Sequence, residues 1–246
     1  GGMDLQATHH TYEIAQSQAC NKEAPVKYWL HTNMLTVNGV RMSKTAGNGF
    51  LPNELFTGDH PMLERGYSPM TVRYFMAQSH YRSTLDFSNE ALQAAERGYK
   101  RLMESISRID KIEASSDSTV SIDKIRGNCY DAMNDDFNTP VLLAHLFDAV
   151  RVINSAVDKT EKLTQNDISA LKELMQIFVT DVLGLIDESD ASAGSDVVGG
   201  LMDLIIDIRS SARENKDWAT SDLIRDRLKE AGVEIKDTKD GVEWRI

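Results

Sequence analysis

The stretch Val40-Arg41-Met42-Ser43-Lys44-Thr45-Ala46-Gly47-Asn48 follows directly on Asn38-Gly39. Leu35 and Val37 precede the Asn-Gly pair, and Val40 and Met42 follow it. Asn-Gly flanked by alternating apolar residues is a strong hairpin signal, because both residues of a two-residue turn take positive φ. The hairpin delivers a polar loop bearing Lys44. A mobile ammonium on such a loop can clamp a nucleoside triphosphate while its α-phosphate is attacked. Charge grows on the phosphate oxygens in that transition state, and a positioned cation stabilises it more than it stabilises the ground state. A polar surface loop that happens to hold a lysine has the same composition, and five residues alone do not separate the two readings.

Outward from the loop, 246 residues suffice for one large or two to three small domains with a real core. Charged residues at 26% and aromatics at 7% suit a helix-rich protein. No run approaches the roughly 20 apolar residues of a membrane span and no secretory leader is seen, so no membrane partner is expected. Cys20 and Cys129 are too few for a disulfide framework, and neither belongs to a Cys-x-x-Cys pair. A reduced, cytoplasmic protein is the expectation. The net charge of −11 argues against indiscriminate nucleic-acid binding. It leaves room for recognition of one folded RNA by a local patch of Arg, Lys and stacking aromatics.

Along the chain, residues 1–20 read as a Gly-rich turn entering a helix with Thr8 as N-cap. Residues 26–42 read as strand, turn, strand, with Val26, Tyr28 and Leu30 on one side of the first strand. Ser68-Pro69 starts a helix to about Ser79, and Ser88 caps another through Leu92, Ala95, Tyr99, Leu102 and Ile106. Further helices are predicted over about Ile122–Met133, from Pro140 through Ile153, and through Leu171, Leu174, Met175, Phe178, Val182 and Leu183. These stripes are core, with no cofactor role. Glu188–Asp196 is the best linker, rich in Ser, Ala, Gly and Asp. Beyond it come helices over about Val198–Glu214 and Trp218–Ala231, then Val233–Ile235 and Val242–Trp244 as a hairpin about the turn Asp237–Gly241.

Flanking signatures complete the picture: Gly1-Gly2-Met3-Asp4, His9-His10-Thr11-Tyr12-Glu13, Tyr28-Trp29-Leu30-His31, Ser79-His80-Tyr81-Arg82-Ser83, Asp135-Asp136-Phe137-Asn138-Thr139-Pro140, Asn215-Lys216-Asp217-Trp218-Ala219 and Trp244-Arg245. In this order and spacing the chain resembles, from first residue to last, the C-terminal portion of the cysteinyl-tRNA synthetases, a class I aminoacyl-tRNA synthetase family. The lysine loop then reads as that class's KMSKS signature, with Arg41 and Thr45 in place of its first lysine and last serine. Arg keeps the charge and Thr the hydroxyl, although Arg and Lys are not equivalent donors.

The resemblance implies a mainly α chain with a residual α/β part. It divides into the end of a Rossmann-type catalytic domain (1–50), a connective region (51–87), a DALR-like helical bundle (88–187), a linker (188–197) and a small α+β anticodon-recognition module (198–246). It further implies a cysteine–tRNA ligase using Mg-ATP, with cysteine and cysteine tRNA as partners, and a monomeric state. Such opening residues sit mid-protein in the family, so the chain reads as a fragment that alone is inactive. A stand-alone RNA-binding or regulatory paralogue without catalysis is the alternative. Two further readings carry less weight. A zinc hydrolase lacks a third ligand within reach, and cysteine ligases with a small-molecule acceptor lack a tail like residues 213–245.

By the same resemblance Lys44 holds the triphosphate during adenylate formation, Met42 anchors the loop in apolar surface, and Ser43 and Thr45 supply loop hydrogen bonds. Gly1, Gly2 and Asp4 match the turn where backbone approaches adenosine and a carboxylate bonds the ribose, and His31–Met34 flanks adenine; without the resemblance, Gly-Gly at a chain start is a flexible end. His9 and Glu13, four apart on one helix face, match two of four zinc ligands, the other two being cysteines outside this chain. On spacing alone they read as a surface contact. His10 is either near the substrate pocket or a helix-surface histidine. Arg82 contacts tRNA phosphate or serves helix packing, and Asn138 or Thr139 caps the Pro140 helix. Arg213, Trp218, Asp222 and Asp237 match anticodon-reading positions. Trp218 equally fits a core role, and Asp222 an ion pair with Arg225.

Overall fold

The computed structural model describes residues 1–43, 45–188, 202, 204–213, 217–230, 234–238 and 241–245, with the backbone alone beyond residue 228. It comprises two compact units, Gly1–Ile186 and Asp187–Ile246.

The first unit opens with a 3-10 turn over Met3–Leu5 and a π-type turn over Gln6–His10 that run into α1 (Thr11–Asn21). Thr8 therefore lies inside the π-type turn and is not an N-cap: the chain enters α1 through His10, already in helical dihedrals, and no extended residue is left to act as a cap. A three-stranded sheet follows in the order β2-β1-β3, from β1 (Leu35–Val37), β2 (Val40–Arg41) and β3 (Leu85–Phe87). Val37 pairs with Val40 across the expected turn, where Asn38 has φ 50° and Gly39 φ 76°. Strand β3 runs parallel to β1, with Val37 beside Phe87. Its three residues offer too short an alternation to be read as a strand from sequence.

The strand expected over residues 26–30 does not form. Val26, Tyr28 and Leu30 are exposed, and the bridge between Gly2 and Thr32 falls just beyond the segment. Alternation marks a face that suits a sheet, but a strand exists only where a neighbour accepts its ladder. None among the described residues does so here.

The helices are α2 (Pro52–Thr57), α3 (Pro69–Ala77), α4 (Asn89–Ser107), α5 (Ile122–Asn134), α6 (Thr139–Val157) and α7 (Gln165–Met175), which continues as a π-type turn over Gln176–Val182. Their starts are chemically defined. Ser68, Ser88, Ser121 and Asn138 each accept from the backbone N–H three residues on, and Thr164 with Asp167 forms a capping box. Asn138 is thus the cap of α6, and Thr139 is its first helical residue.

Leu92 and Leu102 of α4, Leu142, Leu146 and Ile153 of α6, Leu171 and Leu174 of α7, and Phe178 form the fully buried centre. Each such side chain contributes about 1.5–3 kcal/mol of burial. Helix α6, with 19 residues and a mean hydropathy of 1.3, is long and apolar enough by composition to cross a membrane, contrary to the expectation that no run approached that length. Seven of its residues are buried, and it packs on α4 and α5 as a core helix does.

The second unit holds a helix over 204–213 (α8), α9 (Trp218–Glu230) and an antiparallel hairpin of β4 (Glu234–Thr238) and β5 (Gly241–Arg245). The ladder runs to Thr238 against Gly241, so Asp237 sits in β4 opposite Val242 rather than in the expected turn Asp237–Gly241. Each added pair contributes backbone hydrogen bonds, which outweigh the low strand preference of Asp.

Candidate functional site

Backbone bonds tie residues 1–3 to residue 32. Thr32 N–H donates to the Gly1 carbonyl (2.8 Å), and Met3 N–H donates to the Thr32 carbonyl (3.0 Å). Behind Gly1 stands the His10 ring. A Cβ built on Gly1 would lie 2.4 Å from His10 Cε1, so this backbone approach requires glycine. His10 is 9% exposed, which corrects its reading as a helix-surface histidine. Its Nδ1 lies 2.8 Å from His31 Nε2, and its ring packs on Trp29 at 4.8 Å between centroids.

Of two imidazoles so joined, one nitrogen must donate and the other accept. The His31 pKa lies below its ordinary value, first through desolvation and then through the charge of His10. Asp4 is exposed, and its carboxylate lies against Gly2, where an added Cβ would meet Oδ1 at 2.4 Å. Met34 is half-buried, its N–H donating to Asn33 Oδ1 (2.8 Å). The structure thus brings Gly1, Gly2 and Asp4 alongside Thr32, with Met34 just beyond.

His9 lies in the last part of the π-type turn and Glu13 in the first turn of α1; both are exposed. No third His, Cys, Asp or Glu joins them in a metal-sized group among the described residues.

The loop after β2 is built from backbone and two polar side chains. Met42 donates its N–H to the Leu35 carbonyl (3.0 Å) and packs, half-buried, against the core, as an anchor should. The Ser43 hydroxyl accepts from Ala46 N–H (3.1 Å), Gly47 turns the chain with φ 64°, and Asn48 closes the loop. Thr45 is exposed. Lys44 itself lies outside the described residues. At the hairpin's base, Asp86 Oδ1 accepts from Thr36 Oγ1 (2.6 Å) and Gly39 N–H (2.8 Å). Sequence reasoning missed Asp86 and Asn48; an Asn seven residues past the end of β2, or an Asp 47 beyond the turn glycine, leaves no local signal.

Three distant loops meet at Asp136. It accepts from Tyr81 Oη (2.6 Å), pairs with Arg82 Nε (3.0 Å), and its carbonyl meets His80 Nε2 (3.1 Å). Asn33 in turn bonds the Tyr81 carbonyl through its N–H (3.0 Å) and the Arg82 carbonyl through Nδ2 (2.9 Å). Asp136 and Phe137 hold left-handed dihedrals, φ 56° and 55°. Of the two roles open for Arg82, the structural one is visible here: it is engaged with Asp136, and its pKa is raised first by the Tyr81 hydroxyl and then by Asp136.

In the second unit, Trp218 is 58% exposed at the start of α9, so it does not fill that unit's core. Asp222, one turn on, pairs with Arg225 Nη2 (3.1 Å), and Arg213 is exposed on α8. The Asp237 side chain lies outside the described residues. Asp217, another residue without an assigned role in the sequence reading, starts α9 by accepting from Thr220 N–H (3.1 Å) and Oγ1 (2.7 Å); the hydroxyl bond, then the backbone bond, hold its pKa down.

Three family models match in order: the tRNA synthetases class I (C) catalytic domain over residues 1–97, the DALR domain over 128–187, and the cysteinyl-tRNA ligase anticodon binding domain over 203–245. The chain belongs with the class I aminoacyl-tRNA synthetases.

Among individual proteins, it is 50% identical over 247 residues to a cysteine–tRNA ligase of Parabacteroides distasonis and 48% identical to one of Bacteroides fragilis, covering 100% of this chain and 50% of each relative. A cysteine–tRNA ligase of Chlorobium luteolum is 40% identical over 252 residues, covering 99% of this chain and 50% of the relative. Its family is therefore that of the cysteinyl-tRNA synthetases, of which it matches the C-terminal portion. The chain spans about half the length of the curated relatives it matches.

Proposed function

We propose that this chain is the C-terminal portion of an enzyme that activates cysteine with ATP and transfers it to cysteine tRNA. The observation that carries the reading is the ordered match of catalytic, DALR and anticodon-binding models along one chain whose hairpin presents the lysine loop. In-line attack by the cysteine carboxylate on the α-phosphate of Mg-ATP forms the adenylate. Lys44 supplies charge where phosphate negative charge grows, and the tRNA 3′ hydroxyl then takes the aminoacyl group. Gly1, Gly2, Asp4 and Met34 line the nucleoside's side of the site, glycine allowing close backbone approach.

His9 and Glu13 fit half of a zinc shell. One imidazole and one carboxylate lie a helical turn apart, and neither makes a hydrogen bond or ion pair among the described residues. Two further donors belong to the part of the relatives that this chain does not span. Bound there, zinc supplies a soft partner for the substrate thiolate, a bond that a serine hydroxyl does not match. The chain's own contribution is to present both donors on one face and hold them ready.

Arg213, Trp218, Asp222 and Asp237 read the anticodon, the exposed indole by stacking and the charged groups at base edges. The protein works as a cytoplasmic monomer without a membrane partner. Binding of this chain to cysteine tRNA and to an anticodon-altered version, at moderate salt, tests the reading. Weaker binding of the altered tRNA supports it, and equal affinity removes the anticodon role of these four residues.

A further inference from the structure

Asn48 is 6% exposed, one of few buried polar side chains among the described residues, yet it belongs to an otherwise exposed loop. Its carboxamide faces both limbs of that loop. Oδ1 accepts from Ser43 N–H (2.9 Å), on the limb leading to position 44. Nδ2 donates to the carbonyls of Arg41 (3.2 Å) and Val40 (3.5 Å), where the chain leaves β2. One planar group therefore fixes the exit of the strand, the start of the loop and, through its own backbone, the return after Gly47. Only a side chain carrying a donor and an acceptor on one carbon can serve both limbs in this way.

We infer that Asn48 is a positioning residue: by clipping the loop across its neck it sets where the segment 43–47 presents its lysine to the triphosphate. The proposal rests on the ligase reading above, and deepens it. Ser43 and Arg41 are exposed, so water replaces the lost bonds when Asn48 is removed. The loop then loses its geometry while the fold keeps its stability. Misplacement of a group that acts only in the transition state lowers kcat rather than raising KM.

The test has two arms. In this chain, Asn48→Ala should speed hydrogen exchange at the Ser43 amide by about tenfold or more, with Met42, whose N–H belongs to the β1 ladder, unchanged. In a full-length ligase carrying this half, the same variant should lower kcat for adenylate formation by about tenfold or more, with KM for cysteine within about twofold. Asn48→Asp keeps the acceptor for Ser43 and loses the donor, so it should fall between wild type and Asn48→Ala in both readouts. It serves as the test if the alanine variant does not fold.

Unchanged Ser43 exchange overturns the clip. Faster exchange with unchanged kcat overturns the positioning role, as does an aspartate variant equal to wild type in both arms. A full-length wild type that forms no cysteinyl-adenylate sinks the ligase reading itself, and the exchange arm still reports on the clip separately.

Discussion

The bundle of α4 to α7 and the segment before α2 are held together by different means. The bundle has Leu92, Leu102, Leu142, Leu146, Ile153 and Leu171 fully buried, contributed by three of its helices, α4, α6 and α7. Among the described residues of 1–51, only His10, Val37 and Asn48 are buried, and two of those three are polar. The same segment exposes Tyr12, Val26, Tyr28, Leu30 and Leu51. Packing defines the bundle, whereas backbone bridges and single polar side chains define the segment that carries the chemistry. A substitution should therefore cost stability in the first region and geometry in the second.

The largest expected contrast is chemical. Burial, then the charge of Asp148, pushes the Cys129 thiol up to about 12, while Cys20 is exposed on α1. Because the thiolate is the nucleophile, maleimide at neutral pH should modify Cys20 on the order of a thousandfold faster than Cys129, which reacts only on unfolding. Comparable rates in the native protein would break the contrast. Next in size, Leu146→Ala should cost about 2–5 kcal/mol in urea unfolding, whereas Tyr28→Ala, at a position 83% exposed, should change stability by less than about 0.5 kcal/mol. Equal costs would show that the N-terminal segment contributes packing that its exposure does not suggest.

A smaller effect belongs to the node between the two regions. Tyr81→Phe removes one donor to Asp136 and should cost about 1 kcal/mol by the same measurement. No cost would mean the three loops are held there by other bonds.

Smallest is the pH response of the His10–His31 pair. The folded-state pKa of His31 lies below its unfolded value, so as pH falls the unfolded chain binds the proton first. The pair's contribution is present above about pH 6.5 and is lost as pH drops through the lowered folded value. An NMR titration should place His31 below its ordinary value; titration at or above that value contradicts the desolvation of the ring beside His10.

Much of the bundle was legible because its signals are local. Ser68, Ser88 and Asn138 each mark a helix start within three residues, and the Asn38-Gly39 pair marks its own turn. Strands that depend on a partner were not. Val26–Leu30 alternates without forming a ladder, while Leu85–Phe87 forms one without a visible pattern. The hairpin of the second unit extends past the turn that its composition suggested.

The site follows the same division. The Gly-Gly-x-Asp turn and the His9–Glu13 pair took their reading from the family resemblance, since on the residues alone they suggest a flexible end and a surface contact. The burial of His10 against Trp29 and His31, and the grip of Asp86 and Asn48 on the loop, arise from contacts across 5 to 50 residues. No local pattern encodes those.

In the proposed ligase the lysine loop acts on phosphate. In a full-length ligase carrying this half, cysteine-dependent exchange of pyrophosphate into ATP should fall by about 100-fold or more when Lys44→Ala is introduced, as expected for loss of one preorganised charge at a transition state. Exchange at the wild-type rate in that variant would contradict it.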